Sequence, residues 1–289
     1  MIDNESFQTE ISAEHRIWDL HLKEAFQYRD LILLFVKREF VANYKQTVLG
    51  PLWALIHPFI TTVVYTVIFG TLAKLTTADI PGDFAVPAFL FYMSGNICWG
   101  FFSAIVGNTS DTFRRHQGTM GKVYYPRICA PISDALSRLI SYGIQLAMYF
   151  VILLIFYFRG GTDIVISARI LLIPLLILQM MILSVGIGII ISSVTTKYRD
   201  LMMLVGYGLQ LWQYTTPIAY GLQLIPEKAL SWYMLNPMTP VITLFRYSTL
   251  GFGYFNLKYY VISWGISIVV FVIGLIMFSK IERAFIDTI

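Results

Sequence analysis

The sequence predicts an all-α integral membrane protein with six transmembrane helices. Hydrophobic residues make up 57% of the 289 positions, charged residues make up 13%, and the mean hydropathy is +0.67. This composition supplies too little polar surface for a soluble protein of this size. Six apolar runs suit helices, and none shows the alternation of a membrane β-barrel strand. They lie near residues 52–73, 88–110, 133–157, 165–194, 201–220 and 259–279.

The first fifty residues differ from the rest of the chain. Residues 30–45 are basic with helical periodicity, which predicts an amphipathic interface helix lying in the membrane surface. Gly50-Pro51 ends this helix and starts the first span, with Trp53 at headgroup depth. The segment lacks the short apolar core of a cleaved signal peptide, so we expect the first span to be an uncleaved anchor. The chain therefore divides into an N-terminal cytoplasmic segment, 1–50, and a transmembrane domain, 51–289.

Lysine and arginine predict the orientation. With six spans, 15 of the 21 basic residues fall on the side that holds both termini. The positive-inside rule therefore predicts cytoplasmic N- and C-termini. The net charge of +4 is explained by this anchoring, and we expect no nucleic-acid partner.

The centres of the six predicted spans contain no ionisable residues, which argues against a proton-coupled or ion-coupled transporter. The four histidines are scattered, so we predict no metal site, and Cys98 and Cys129 are not expected to form a disulfide. A membrane-bound transferase would need clustered acidic or histidine residues. The candidate carboxylates are dispersed, and we interpret them as solvated or helix-capping residues: Asp79, Asp83, Asp111 and Asp134. No catalytic residue is predicted.

No nucleotide site is visible in the chain. Gly121-Lys122-Val123 lacks the hydroxyl residue and the upstream glycine of a P-loop. Active transport by this protein would therefore need ATP hydrolysis by a separate subunit.

Two connections are candidates for moving parts. The connection after the second predicted span is basic and interrupted by prolines, which suits contact with a soluble partner through Tyr124 and Tyr125 with arginines around them. The alternative is a loop that only sets topology. Residues 221–256 are apolar, but prolines and glycines leave fragments 228–235 and 238–250 that are too short to cross a membrane. They predict a re-entrant helix pair on the outer side, or else an interfacial loop.

Aromatic residues make up 16% of the chain. Aromatic faces and neutral amides suit a lining that lets sugar rings pass without binding ions, although helix packing explains many such residues equally well. The candidates in the second and fifth predicted spans are Trp99, Tyr207, Gln210, Trp212, Gln213, Tyr214 and Tyr220.

Several motifs resemble those of ABC-2 type permeases that export polysaccharides, most closely the O-antigen exporters. The similar stretches are RDLILLFVKREFVANYKQTVLGPLWALIHP at 29–58, KVYYPRICAP at 122–131, KYRDLMMLVGYGLQLWQYTTPIAY at 197–220, LNPMTPVITLFRYSTLG at 235–251 and ERAFIDTI at 282–289. The resemblance implies a homodimer in the bacterial inner membrane. Two copies of a separate nucleotide-binding subunit that binds Mg-ATP would drive it, and its substrate would be a lipid-linked polysaccharide.

The resemblance also implies roles for individual residues. It adds Tyr65 and Phe69 to the channel lining. It implies ATPase contacts at Lys37, Arg38, Tyr44, Lys45, Arg114, Arg115, Lys122, Tyr125 and Arg127. It implies periplasmic gate helices that include Pro226, Trp232, Tyr233, Pro237, Pro240 and Arg246. Capsule, teichoic acid, drug or small-lipid cargo are the alternatives within the same class.

Overall fold

The computed structural model describes residues 26–73, 86–120, 125–160, 162–195 and 200–286. No strand occurs in these ranges, which confirms the all-α prediction. The main helices are α1 (Arg29–Tyr44), α2 (Trp53–Tyr65), α3 (Ala88–Ser110), α4 (Thr112–Met120), α5 (Cys129–Arg159), α6 (Ile173–Thr195), α7 (Leu201–Tyr214), α8 (Glu227–Leu235), α9 (Met238–Leu250) and α10 (Leu257–Ile286).

Five helical stretches among the described residues are long and apolar enough to cross a membrane. They are Gly50–Leu72, Ala88–Ser110, Cys129–Arg159, Ala168–Thr195 and Leu257–Lys280. The first stretch joins a 3-10 turn at Gly50–Leu52, helix α2 and wider π-helical turns at Thr66–Leu72. These stretches match five of the six predicted spans.

The predicted span at 201–220 contains a shorter helix. Helix α7 has 14 residues, which gives a rise of about 21 Å, less than the ~30 Å of a bilayer core. It ends at Tyr214 because Pro217 lacks the N–H that a continuing helix needs and restricts the residue before it. The predicted count of six spans is therefore not confirmed by helix length.

Helix α3 forms the centre of the protein. It contacts α2, α5, α6, α7 and α9, and most of its side chains are buried. It contains no charged residue from its first position, Ala88, to its last, Ser110. Such a helix can be surrounded by other helices without leaving a charge unpaired.

Helices α6 and α10 approach each other closely at two glycines. A Cβ atom at Gly186 would lie 2.7 Å from the Cα of Phe271, and one at Gly274 would lie 2.7 Å from the carbonyl oxygen of Gly186. Gly188 faces α3, where an added Cβ would lie 2.5 Å from the Cβ of Thr109. Small residues of this kind let membrane helices come close enough for extensive backbone packing.

The fragments 228–235 and 238–250 of the sequence prediction correspond to helices α8 and α9. Twelve of the 13 residues of α9 are buried, whereas α8 buries only Met234. The turn between them is tied to α10, because the hydroxyl of Ser263 donates a hydrogen bond to the Pro237 carbonyl at 2.7 Å. Ser263 is the seventh residue of α10, so this turn lies about 9 Å along that helix from its first residue.

Substituting Gly186 with alanine should destabilise the protein. The new methyl group would push α6 away from the backbone of Phe271, and overpacking of this kind costs about 1–3 kcal/mol. Gly265→Ala is the matched control, because an added Cβ there has nothing within 4 Å. Thermal unfolding in detergent should show a lower midpoint for Gly186→Ala alone. Equal midpoints for the two variants would contradict the packing argument.

Candidate functional site

A cavity of about 840 Å³ opens between five helices. Its wall is formed by the end of α1, one side of α2, the middle of α3, the first half of α5 and the C-terminal half of α7. Its polar side chains are Asn43, Tyr44, His57, Thr61, Tyr65, Asn96, Ser103, Arg138, Ser141, Gln145 and Gln213. Among these described lining residues, only Arg138 carries a permanent charge.

Hydrogen bonds between helices hold several of these side chains in place. The amide of Gln213 on α7 donates to the hydroxyl of Tyr65 on α2 at 3.0 Å. The hydroxyls of Tyr44 and Ser141 lie 3.0 Å apart and join α1 to α5. The oxygen of the Asn96 amide is buried and has no hydrogen-bond partner among the described residues. Apart from Arg138, the cavity wall therefore presents neutral donors and acceptors, several of them held by hydrogen bonds between helices.

The predicted channel residues fall into three groups. Tyr65, Trp99 and Gln213 line the cavity, and Trp212 packs behind it with its ring centre 6.0 Å from that of Trp99. On α7, exposed side chains that lie outside the cavity wall include Tyr207, Gln210 and Tyr214. The remaining two residues pack against other rings: Phe69 lies against Tyr65, and Tyr220 lies against Tyr233.

The predicted ATPase-contact residues of α1 are mostly accessible. Lys37, Arg38 and Lys45 are exposed, and Tyr44 is half-buried because of its contact with Ser141. Helix α1 is held to the protein by Ile32, Phe35 and Val36, which are buried. The helix thus has one apolar side against the protein and basic residues on its free side. Lys122 lies outside the described residues.

The two neighbouring arginines of α4 have different surroundings. Arg114 is largely exposed and makes two hydrogen bonds of 2.8 Å to Asp111, three residues before it. Arg115 also lies at the surface, but its partly exposed side chain forms ion pairs with Glu39 of α1 and Asp134 of α5. The charge of Arg115 is therefore neutralised within the protein, which does not suit its predicted position at the rim of a partner contact.

Tyr125 is buried, with only 4% of its surface exposed. Its ring packs edge-on against Phe35 of α1, with 5.5 Å between the ring centres. Burial raises the pKa of its hydroxyl to about 12, so the side chain is neutral. The predicted role of an exposed anchor for a partner does not suit this position, because α1 covers the ring. Arg127, two residues later, is half-buried.

Asp134 was predicted to be a solvated or capping residue, and this was wrong. Only 1% of its surface is exposed. Its carboxylate accepts a hydrogen bond from the Thr112 hydroxyl at 2.9 Å, and the ring nitrogen of His116 lies 3.5 Å from it. With Arg115, these groups replace the water that a buried carboxylate loses.

The predicted gate residues are distributed over an exposed helix and a buried one. Pro226 and Trp232 are exposed at α8, and Tyr233 and Pro237 are half-buried. Pro240 is buried in α9. The side chain of Asn236 holds the turn between the two helices, because its amide donates to Thr216 and its oxygen accepts from the indole of Trp212.

Arg246, the last of the predicted gate residues, is buried in α9, with 3% of its surface exposed. Its guanidinium donates to the carbonyls of Pro217 at 2.7 Å and Ile218 at 2.9 Å. It also reaches the Phe91 carbonyl and the Ser94 hydroxyl at the start of α3, and its carbon lies 3.7 Å from the centre of the Phe91 ring. These contacts fix α9 to α3 and to the turn after α7.

The sequence analysis missed Glu39, Asn108 and the partners of Asp134. One sequence signal was available: Asp134 and Arg138 lie four residues apart at the start of an otherwise apolar segment, which places them on one side of a helix. Arg138 donates to Asn108 at 3.0 Å and lies 4.0 Å from Glu39. Within the part of the chain that the structure describes, no three histidine, cysteine or acidic residues group in a way that could hold a metal ion.

Comparison with known proteins gives a consistent set of relatives. Residues 30–250 match the family described as ABC-2 type transporter. The O-antigen export system permease protein RfbA of Klebsiella pneumoniae is 28% identical over 89% of this chain and 93% of its own length. A protein of the same name from Myxococcus xanthus is 26% identical over 78% of this chain and 82% of its own. The polysialic acid transport protein KpsM of Escherichia coli is 27% identical over 72% of this chain and 77% of its own.

Substituting Arg246 with lysine should destabilise the protein strongly. A single ammonium group cannot reach the oxygens of α3 and of the turn after α7 together, and we expect a loss of about 2–4 kcal/mol. Arg169→Lys is the control, because Arg169 also stacks on a ring, that of Tyr247 at 4.4 Å, but is exposed. Unfolding midpoints in detergent should fall for Arg246→Lys and stay within experimental error for Arg169→Lys. Similar small shifts for both would show that the buried contacts contribute little.

Proposed function

Because the chain belongs to the ABC-2 type transporter family, we propose that it is the membrane-spanning permease of an ATP-driven polysaccharide exporter. Its substrate is a lipid-linked glycan of the O-antigen kind, which moves from the cytoplasm to the periplasm of a bacterium. The protein is a transport subunit, and ATP hydrolysis takes place on a separate subunit.

The observation that carries this proposal is the polar cavity, whose wall is neutral except for Arg138. Amides and hydroxyls such as Gln213, Tyr65 and Ser141 can exchange hydrogen bonds with sugar hydroxyls as a glycan passes. Trp99 adds an aromatic surface against which sugar C–H groups can lie. The wall has no carboxylate among its described residues, so it has no group that would retain cations.

The names of the relatives favour glycan cargo over drugs or small lipids. Of five matched relatives, three are named as O-antigen export permeases and two as polysialic acid transport proteins. The O-antigen relatives match a larger share of the chain, so O-antigen-like cargo is the first candidate. Capsule-like glycan is the second candidate because of the similarity to KpsM.

We place six crossings in the membrane, with both termini in the cytoplasm. Helix α7 starts beside the end of α3, where Met202 contacts Ser110, and Trp212 near its end packs against Phe102. It therefore runs antiparallel to α3, and residues 215–220 extend the crossing beyond it. Helices α8 and α9 then form a re-entrant pair on the periplasmic side, which is supported by the hydrogen bond of Ser263 to the turn between them.

The outer face of α7 supports a homodimer. Its large apolar side chains are exposed, including Met203 at 76%, Tyr207 at 67% and Leu211 at 68%. In the proposed assembly, this face and the adjoining cavity meet the corresponding surface of a second copy across a two-fold axis. Two cavities then join into one channel.

The cytoplasmic surface supports the ATPase partner. The contact area for two copies of a nucleotide-binding subunit is formed by exposed basic side chains. They are Lys37 and Arg38 of α1, Lys45 directly after it, and Arg114 of α4. Those subunits bind Mg-ATP. Their closure moves α1 and the connection between α3 and α5, and this movement opens the channel.

Reconstitution tests the proposal. Proteoliposomes containing this chain, its ATPase subunit and lipid-linked glycan should translocate glycan only when ATP is present. The readout is protection of the glycan from an added glycosidase. Omitting the ATPase subunit should abolish transport. Translocation by this chain alone, or stimulation of ATP hydrolysis by drugs and not by glycan, would refute it.

Filling the cavity should block export without unfolding the protein. Gly100 lies in the cavity wall, and an added Cβ there has nothing within 4 Å, so Gly100→Phe places a ring in the path. Gly143→Phe is the matched control, because its Cβ direction is equally open but Gly143 is not part of the wall. Export measured in the same proteoliposomes should be lost in the first variant and kept in the second. Normal export by Gly100→Phe would exclude the cavity from the path.

A further inference from the structure

We propose that Arg115 is a positioning residue that couples the surface helix α1 to the membrane helix α5, by holding Glu39 and Asp134 at the same time. We call these three residues the Arg115 bridge. The inference rests on the proposed function, because it concerns how movement at the cytoplasmic surface reaches the channel. It assigns the three residues a role in transmitting force inside the permease.

The geometry of the bridge links three helices. One terminal nitrogen of Arg115 contacts the carboxylate of Glu39 on α1, and the other lies 3.4 Å from the carboxylate of Asp134 on α5. The arginine itself belongs to α4. The two nitrogens at the end of a guanidinium are fixed in one plane, so the positions of the two carboxylates are set relative to each other.

The bridge is buried at Asp134 and partly exposed at Arg115. Asp134 is 1% exposed, and side-chain exposure is 13% for Glu39 and 29% for Arg115. A carboxylate as buried as Asp134 is costly without a cation and hydrogen-bond donors near it. Separating α4 from α5 would leave this charge with fewer partners. The two helices are therefore expected to move together.

The other contacts of α1 are of a different kind. Ile32, Phe35 and Val36 bury apolar surface, which permits sliding and rolling because it has no direction. Tyr44 and Ser141 make a hydrogen bond between neutral groups at the end of the helix. The ion pair of Glu39 lies between these contacts. It adds a directional contact to α1 close to the exposed Lys37 and Arg38.

The connection to the channel is direct. Asp134 lies one turn before Arg138 on α5, and Arg138 and Ser141 are part of the cavity wall. A displacement of α1 is thus passed through Glu39, Arg115 and Asp134 to the helix that carries this wall. Arg138 also lies 4.0 Å from Glu39, which adds a second, longer contact along the same route.

The test measures the number of glycan chains exported per ATP hydrolysed in the full complex. Glu39→Gln keeps the shape of the side chain and removes its charge, so α1 loses the ion pair while Arg115 still contacts Asp134. A partly exposed ion pair contributes only modestly, so we expect this ratio to fall roughly threefold. Glu39→Asp, which keeps the charge, should retain more of the ratio than Glu39→Gln.

Asp30→Asn is the matched control. It also removes a carboxylate of α1, but Asp30 is exposed in the first turn of that helix and is not part of the Arg115 bridge. Its ratio should equal that of the unchanged complex. Arg115→Lys is a second test variant, since one ammonium replaces the two-sided contact, and its ratio should also fall.

The outcomes separate this inference from the proposed function. If the unchanged complex shows no ATP-dependent export, the proposed function fails and the inference with it. If the unchanged complex exports and Glu39→Gln keeps its ratio, the inference alone is overturned. An equal fall in Asp30→Asn would also overturn it, because a general charge effect would then explain the result. Unfolding midpoints, recorded for every variant, should stay near that of the unchanged complex if the effect is on coupling.

Discussion

A charge that is buried in a membrane protein must find its partners inside the protein, and this constraint organises both ends of the molecule. Lipid tails offer no hydrogen bonds, so an unsatisfied polar group at that depth is costly. Arg246 and Asp134 meet the constraint in different ways. Arg246 is surrounded by neutral oxygens and a ring from α3 and the turn after α7, whereas Asp134 is paired with a cation that it shares with α1.

The two solutions have different mechanical consequences. The contacts of Arg246 make α9, the start of α3 and the 217–218 turn into one rigid unit. Helix α8 buries only Met234 and is held by the turn at Asn236 and by side-chain hydrogen bonds of Ser231 and Tyr233, so it is the less firmly packed helix of the pair. At the opposite end, the shared cation joins helices that lie at the surface to one that crosses the membrane. A transporter that opens by movements started at one face needs both kinds of element. One is a rigid unit, such as that around Arg246, and the other is a set of linked helices, such as those joined by Arg115.

Hydrophobic composition and the positions of prolines predicted much of the fold. The features that they did not predict depend on tertiary contacts. Five crossing helices and the bounds of α8 and α9 follow from hydrophobic runs and from prolines, which act locally. Pro217 is a local signal that α7 ends near Tyr214. The sequence prediction did not use it, because the apolar run continues past Pro217. The burial of Arg246 could not be predicted, because the carbonyls that receive its hydrogen bonds are 28 and 29 residues away in the chain. The channel candidates Tyr65, Trp99 and Gln213 do meet at one cavity, but helical periodicity alone did not separate them from Tyr207 or Gln210, which lie outside its wall.

The central claim is that glycan passes along the cavity between α2, α3, α5 and α7. The most direct test replaces Gln145, in the cavity wall, by a photo-reactive amino acid and illuminates membranes that are exporting glycan with ATP. The same replacement at Val151 provides the comparison, since Val151 lies on the same helix, is 57% exposed and is not part of the wall. The account predicts that glycan becomes attached at position 145 only when ATP is supplied, and that position 151 captures no glycan. Equal attachment at both positions, or none at 145 during active export, would contradict it.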